Sequence, residues 1–157
     1  MAGWRVYDAM RAIDYLEGRP EMDAKRIGAI GISGGGLNAL YLAALDTRVR
    51  ATVVSGFLNT FRDSLLGVHH CIDNFIPGLL LEAEISDIAG LVAPRALWCE
   101  NGTDDPIFPV KAFRRALRET RKIYGVFGAP AQCGGEVFNG EHEFHGDGAW
   151  PFLQKHL

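Results

Sequence analysis

Ile27-Gly28-Ala29-Ile30-Gly31-Ile32-Ser33-Gly34-Gly35 is the stretch on which the fold turns. Its first six residues include no polar member, which predicts a strand covered on both faces, as in a parallel sheet; a strand with one wet face alternates apolar and polar residues. The pattern Gly31-x-Ser33-x-Gly35 follows directly, and from Leu37 to Leu45 the apolar Leu40, Tyr41 and Ala44 predict a helix. A glycine-flanked serine between strand and helix predicts a sharp, strained turn that lifts the Ser33 hydroxyl above the sheet. The helix N-terminus beside it favours developing negative charge. Ser33 is the candidate nucleophile.

Outward from that stretch the same alternation repeats. Val6, Met10, Ile13 and Leu16 recur at helical steps between Arg5 and Glu17, and Gly18 and Pro20 end that helix. Ala51-Thr52-Val53-Val54 and Ala96-Leu97-Trp98-Cys99 predict two further buried strands, and Glu136-Val137-Phe138 a short fourth. Val110 to Tyr124 is strongly amphipathic, with Phe113, Leu117 and Tyr124 opposite Lys111, Arg114, Arg115, Arg118 and Arg121; the charged side is expected to face water. Pro151 suits the first turn of a closing helix through Leu157. The expectation is an α/β fold, one domain over residues 1–157, with a parallel sheet of about four strands and flanking helices. Phe57 to Val92 lacks strand character and is expected to form a helical and loop excursion over the site.

A serine nucleophile needs a base, and the base an orienting acid, at later strand ends. After Ala96–Cys99 comes Asn101-Gly102-Thr103-Asp104-Asp105-Pro106, where Asp105 or Asp104 fits the acid. After Glu136–Phe138 comes Asn139-Gly140-Glu141-His142-Glu143-Phe144-His145, where His142 or His145 fits the base. The order Ser, Asp, His is that of hydrolases built on this turn.

Three stretches carry a more specific resemblance: Asp23-Ala24-Lys25-Arg26-Ile27-Gly28 running into Gly31-Ile32-Ser33-Gly34-Gly35-Gly36, Ala93-Pro94-Arg95 through Gly102-Thr103-Asp104-Asp105-Pro106-Ile107-Phe108-Pro109, and Gly140-Glu141-His142-Glu143-Phe144. Together they resemble the C-terminal half of an α/β-hydrolase of the acetyl-xylan-esterase-like and dienelactone-hydrolase-like branch. The resemblance implies Asp105 as acid, His142 as base and the Gly34 amide as first oxyanion donor. Serine rather than cysteine at the elbow favours the esterase side of that branch. His69-His70-Cys71-Ile72-Asp73-Asn74 resembles the family's pocket-side loop. The family normally carries further strands before the elbow, and with them the second oxyanion donor; only one helix precedes the elbow strand here. Losing one such donor lowers turnover by roughly 10²–10³, about 2.7–4 kcal/mol, so weak activity is expected.

Composition sets the surrounding limits. With 157 residues, 48% hydrophobic and 22% charged, the chain can bury a core without disulfide or metal staples. Sixteen basic against 19 acidic residues give a net charge of −3, which argues against nucleic-acid or anionic-membrane partners. No apolar run reaches the roughly 20 residues of a membrane span, and the charged start lacks a signal-peptide stretch, so a cytoplasmic protein is expected. Cys71, Cys99 and Cys133 are widely spaced and expected to be reduced; His69-His70-Cys71 lacks further ligands at a metal-binding spacing. His142-Glu143-Phe144-His145 departs from the helical zinc spacing. Ser55 is expected to be structural, and Trp98 to lie in the core.

These observations predict a cofactor-independent serine carboxylesterase for small, short-acyl esters. The alternatives are a serine peptidase of the prolyl-oligopeptidase type and a catalytically silent hydrolase fragment acting as an interaction module. An uncovered Ile27–Ile32 edge, wholly apolar and glycine, also predicts a homodimer or higher homo-oligomer that covers it.

Overall fold

The computed structural model describes all 157 residues. The strands β1 (Ile27–Ile32), β2 (Val49–Ser55), β3 (Ala96–Gly102) and β4 (Cys133–Phe138) form one parallel sheet in the order β1-β2-β3-β4. Helices α1 (Ala2–Glu17), α2 (Gly34–Leu45), α3 (Leu79–Glu82), α4 (Ile85–Gly90), α5 (Val110–Val126) and α6 (Ala149–His156) fill the connections. Each long crossover returns the chain to the same end of the sheet, so the loops after all four strands gather there.

The sheet faces are unequally covered. On one side α2, α4 and α5 bury a continuous core that includes Leu40, Val54, Leu97, Phe113 and Tyr124. On the other, α6 alone packs Phe152 against Ala51 and Ala96. Central β2 is buried through Ala51–Ser55, as expected of a strand with neighbours on both sides. β1 differs from the expectation of cover on both faces: it is an edge strand, and Ile30 keeps 44% of its surface exposed. Its apolar run remains, but no strand lies beyond it.

Element ends depart from the sequence pattern where tertiary contacts take over. β4 begins at Cys133 rather than Glu136, because a side chain on Gly134 would meet the Trp98 ring at 2.5 Å and glycine permits the pairing. Helix α2 begins at Gly34 rather than Leu37, its first amides set by the strained turn at Ser33. Phe57 to Val92 is more than a surface excursion: Phe57, Leu58, Phe61, Leu65, Ile85 and Ile88 are core residues. A capping box between Glu84 and Asp87 starts α4. Arg95 donates to Ala43 O at 2.6 Å and Val49 O at 2.8 Å, placing a cation at the C-terminal end of α2 where the helix dipole favours it.

Candidate active site

Ser33 is the one non-glycine residue at positive φ, at φ 57° and ψ −122°. Such a conformation is costly and persists only where surrounding contacts enforce it. Two contacts do so here. The Ser33 N–H donates to Ser55 O at 3.0 Å, and the chain folds back so closely that a Cβ on Gly31 would run into the Gly35 carbonyl. The Ser33 hydroxyl does not cap the helix that it precedes. Gly34 N–H is the first amide of α2, one of those a helix leaves without an internal acceptor.

The loops after β3 and β4 are knitted together. Thr103 N donates to Phe138 O and Asp104 N to Gly140 O, both at 2.9 Å. That register turns Asp105 inward. Its Oδ2 lies 2.8 Å from His142 Nδ1, and its Oδ1 accepts from Ile107 N at 2.8 Å and Phe108 N at 2.9 Å. The Asp105 side chain is 1% exposed, the His142 ring 21%. A carboxylate buried among three donors is the arrangement that fixes an imidazole's orientation and tautomer.

The members of each two-way alternative are placed differently. Asp104 is exposed and accepts from Thr103 Oγ1, while His145 stacks on Phe138 at 4.5 Å and faces Asp147. Ser55 is structural, its hydroxyl donating to Glu143 O at 3.3 Å. The structure thus joins Asp105 to His142 directly. Ser33 is linked to them through Ser55, whose carbonyl its N–H holds, and the adjoining Gly56, without a hydrogen bond from the serine hydroxyl to the imidazole. Gly56, at φ 50°, backs the His142 ring, and a Cβ there would stand 3.0 Å from Nδ1.

Several residues of this region have no signature of their own in the sequence. Glu100, fully buried within β3, accepts from His145 N at 2.9 Å and Gly146 N at 3.2 Å and so holds the histidine loop. A charged residue directly after an apolar run is its only local trace. Arg5 donates to Gly34 O at 3.2 Å and pairs with Asp73. His70 meets the Phe108 ring edge-to-face at 5.4 Å between centroids, and the same Phe108 ring stacks on His142 at 5.5 Å and packs on Phe57 at 5.8 Å. Burial holds His70 below its ordinary range, helped by the facing charges of His142 and His69 against the pull of Asp105. No cluster of three or more His, Cys, Asp or Glu side chains is placed to share a metal ion, and no helix is long and apolar enough to cross a membrane.

Residues 10–88, from the middle of α1 through the elbow into α4, match the family described as BAAT / Acyl-CoA thioester hydrolase C terminal. The chain belongs to that family. The match includes Ser33 and ends before Asp105 and His142. The family is one of hydrolases, and the fold is that of an α/β-hydrolase. "Putative hydrolase YtaP" of Bacillus subtilis (strain 168) is 32% identical over 138 residues, which is 85% of this chain and 45% of that protein. Among solved structures, a glucuronoyl esterase from Sporotrichum thermophile superposes with a TM-score of 0.80 at 23% identity, over 97% of this chain and 50% of that one. A CE15 glucuronoyl esterase from Caldicellulosiruptor kristjansonii gives 0.74 at 20%, over 94% and 47%. At such identities the likeness is one of fold. The chain spans about half the length of the relatives it matches.

Proposed function

We propose that the chain is a serine carboxylesterase that hydrolyses small, short-acyl esters through an acyl-enzyme. The observation that carries this reading is the buried Asp105–His142 pair at 2.8 Å beside a serine held at φ 57°. Ser33 Oγ attacks the carbonyl carbon while His142 Nε2 takes its proton, and Asp105 stabilises the imidazolium. The Gly34 amide receives the oxyanion. Collapse breaks the bond to the alcohol oxygen, which leaves with the proton from His142. A water then gives its proton to His142 and attacks the acyl group, releasing the carboxylic acid and restoring Ser33. The family's description adds thioesters to the substrates worth assaying.

The second reading is a silent hydrolase module, favoured by a Ser33 hydroxyl that makes no hydrogen bond to the His142 ring. Fluorophosphonate labelling of wild type and Ser33→Ala, read by intact mass, separates the two. One adduct on wild type alone supports a working nucleophile without requiring the right ester. No adduct on either protein gives the lead to the module.

We also propose that a second copy covers the β1 edge. A groove of about 390 Å³ runs between α1, β1 and α2, lined by Ile13, Ile27, Ile30 and Leu42. Asn38 lines it too, with its Oδ1 buried and unpartnered. A two-fold axis would pair β1 with its symmetry mate and continue the sheet.

A further inference from the structure

The segment His69–Asn74 touches both halves of the site without supplying a member of the Ser33, Asp105, His142 set. At one end Asp73 pairs with Arg5, which also donates to Gly34 O beside the nucleophile. At the other, His70 is held by two polar neighbours: its Nε2 lies 3.1 Å from Ser64 Oγ and its Nδ1 3.5 Å from Asn74 Nδ2. Ser64 has one hydroxyl proton, and it goes to Ile107 O at 2.8 Å. Ser64 Oγ must therefore accept from His70, which requires the proton on Nε2. The lone pair is then on Nδ1, facing the Asn74 amide, whose N–H₂ donates to it. Every polar atom is satisfied by a neutral ring in one tautomer, whereas an imidazolium would set an N–H against the amide donor of Asn74.

From Ser64 the connection reaches the acid in one more step. The Ile107 carbonyl that Ser64 holds belongs to the turn whose amides, Ile107 N and Phe108 N, donate to Asp105 Oδ1. Asp105 Oδ2 then meets His142. The Phe108 side chain repeats the linkage by packing, in an edge-to-face contact with His70 and stacked on His142.

We propose that His70 is a positioning residue for the Asp105–His142 pair, acting as a neutral Nε2–H donor through Ser64 on the turn that caps Asp105. This rests on the esterase reading for its consequence in catalysis, but the hydrogen-bond chain stands apart from it. Loss of the His70 donor frees the Ser64 hydroxyl to leave Ile107 O, loosens the two amides on Asp105, and lets the base drift from its orientation. Four ionisable groups bear on the proposal: His70 itself and the facing His142, His69 and Asp105.

The test compares wild type with His70→Leu, His70→Gln, Ser64→Ala and the His70→Leu/Ser64→Ala double variant. Glutamine keeps an N–H donor near the Nε2 position; leucine keeps only bulk. With p-nitrophenyl acetate, kcat should fall about tenfold in His70→Leu and in Ser64→Ala with KM little changed, recover most of the way in His70→Gln, and fall no further in the double variant, since residues acting in one chain are non-additive. The downfield proton resonance of His142 Nδ1–H, recorded without substrate, should weaken in His70→Leu and persist in His70→Gln. Additive losses, a glutamine variant as impaired as the leucine one, an effect confined to KM, or an unchanged His142 resonance in His70→Leu would each overturn the assignment. If wild type lacks turnover, the esterase reading has failed and the resonance alone decides the role of His70. Ser64→Ala, the smallest change, serves where His70→Leu does not fold.

Discussion

Asp105 Oδ2 stands 2.8 Å from His142 Nδ1, while the other oxygen of the same carboxylate takes the N–H groups of Ile107 and Phe108. The backbone thus fixes the carboxylate and the carboxylate fixes the imidazole, with the Asp105 side chain 1% exposed. A charge-assisted contact of this kind holds the imidazole with its Nε2 free to accept a proton.

Asp105→Asn should retain the shape of the site but favour the wrong imidazole tautomer, lowering kcat by about 10³–10⁴ in steady-state ester hydrolysis. Asp104→Asn, one residue away on an exposed side chain, should stay within about twofold of wild type. Equal losses in the two variants would remove Asp105 from its special position.

Glu100 is buried, with one oxygen on His145 N and the other on Gly146 N. Glu100→Gln exchanges one acceptor for an N–H₂ directed at a backbone donor. Stability measured by urea unfolding should fall by about 1–3 kcal/mol, and activity should fall with it because the same loop carries His142. An unfolding midpoint equal to that of wild type would show that the loop is held by other contacts.

Acid stability should depend on the turn between α2 and β2. Hydrogen bonds from the Arg48 side chain hold the Asp46 carboxyl below its ordinary range, against a smaller opposing effect of burial. Arg48 also reaches Asp14 at 2.7 Å and Glu17 at 2.5 Å, tying α1 to that turn. Since the folded value lies below the unfolded one, the unfolded chain binds the proton first as pH falls. The contribution is therefore present in full above about pH 4 and is lost below it, through the folded value. Thermal melts between pH 6 and pH 2 should show a steeper loss in wild type than in Arg48→Met. Parallel curves would mean that this network contributes nothing measurable.

The β1 edge predicts an oligomer. Light scattering at high micromolar concentration should give a dimer for the wild-type chain, and Ile30→Lys, which sets a charge on the edge, should give a monomer of unchanged circular dichroism. A monomeric wild type would overturn the proposed dimer.

Local order along the chain was enough for the scaffold. Apolar runs such as Ile27–Ile32 and Ala51–Val54, the amphipathic Val110–Tyr124, and glycines around Ser33 each act within a few residues of themselves, so period and pattern reveal strand, helix and elbow. The same locality explains the errors at element ends: Gly134 carries no strand signal, and only the Trp98 ring beside it shows why it is glycine.

The serine turn was legible for the same reason, and the candidate acid and base only as pairs of alternatives. Asp104 and Asp105 share one loop, as do His142 and His145, and no local rule tells neighbours apart. The choice is made where the loop after β3 meets the loop after β4, by hydrogen bonds from Thr103 to Phe138 and from Asp104 to Gly140 that join residues more than thirty positions apart. The parts of Arg5, His70 and Glu100 likewise depend on partners far along the chain. Sequence alone determined which segments become strands and helices and where the serine turns, because those follow from short-range sterics and periodicity. Tertiary structure decided which acid faces which base, because sheet register and packing set the distance between side chains remote in sequence.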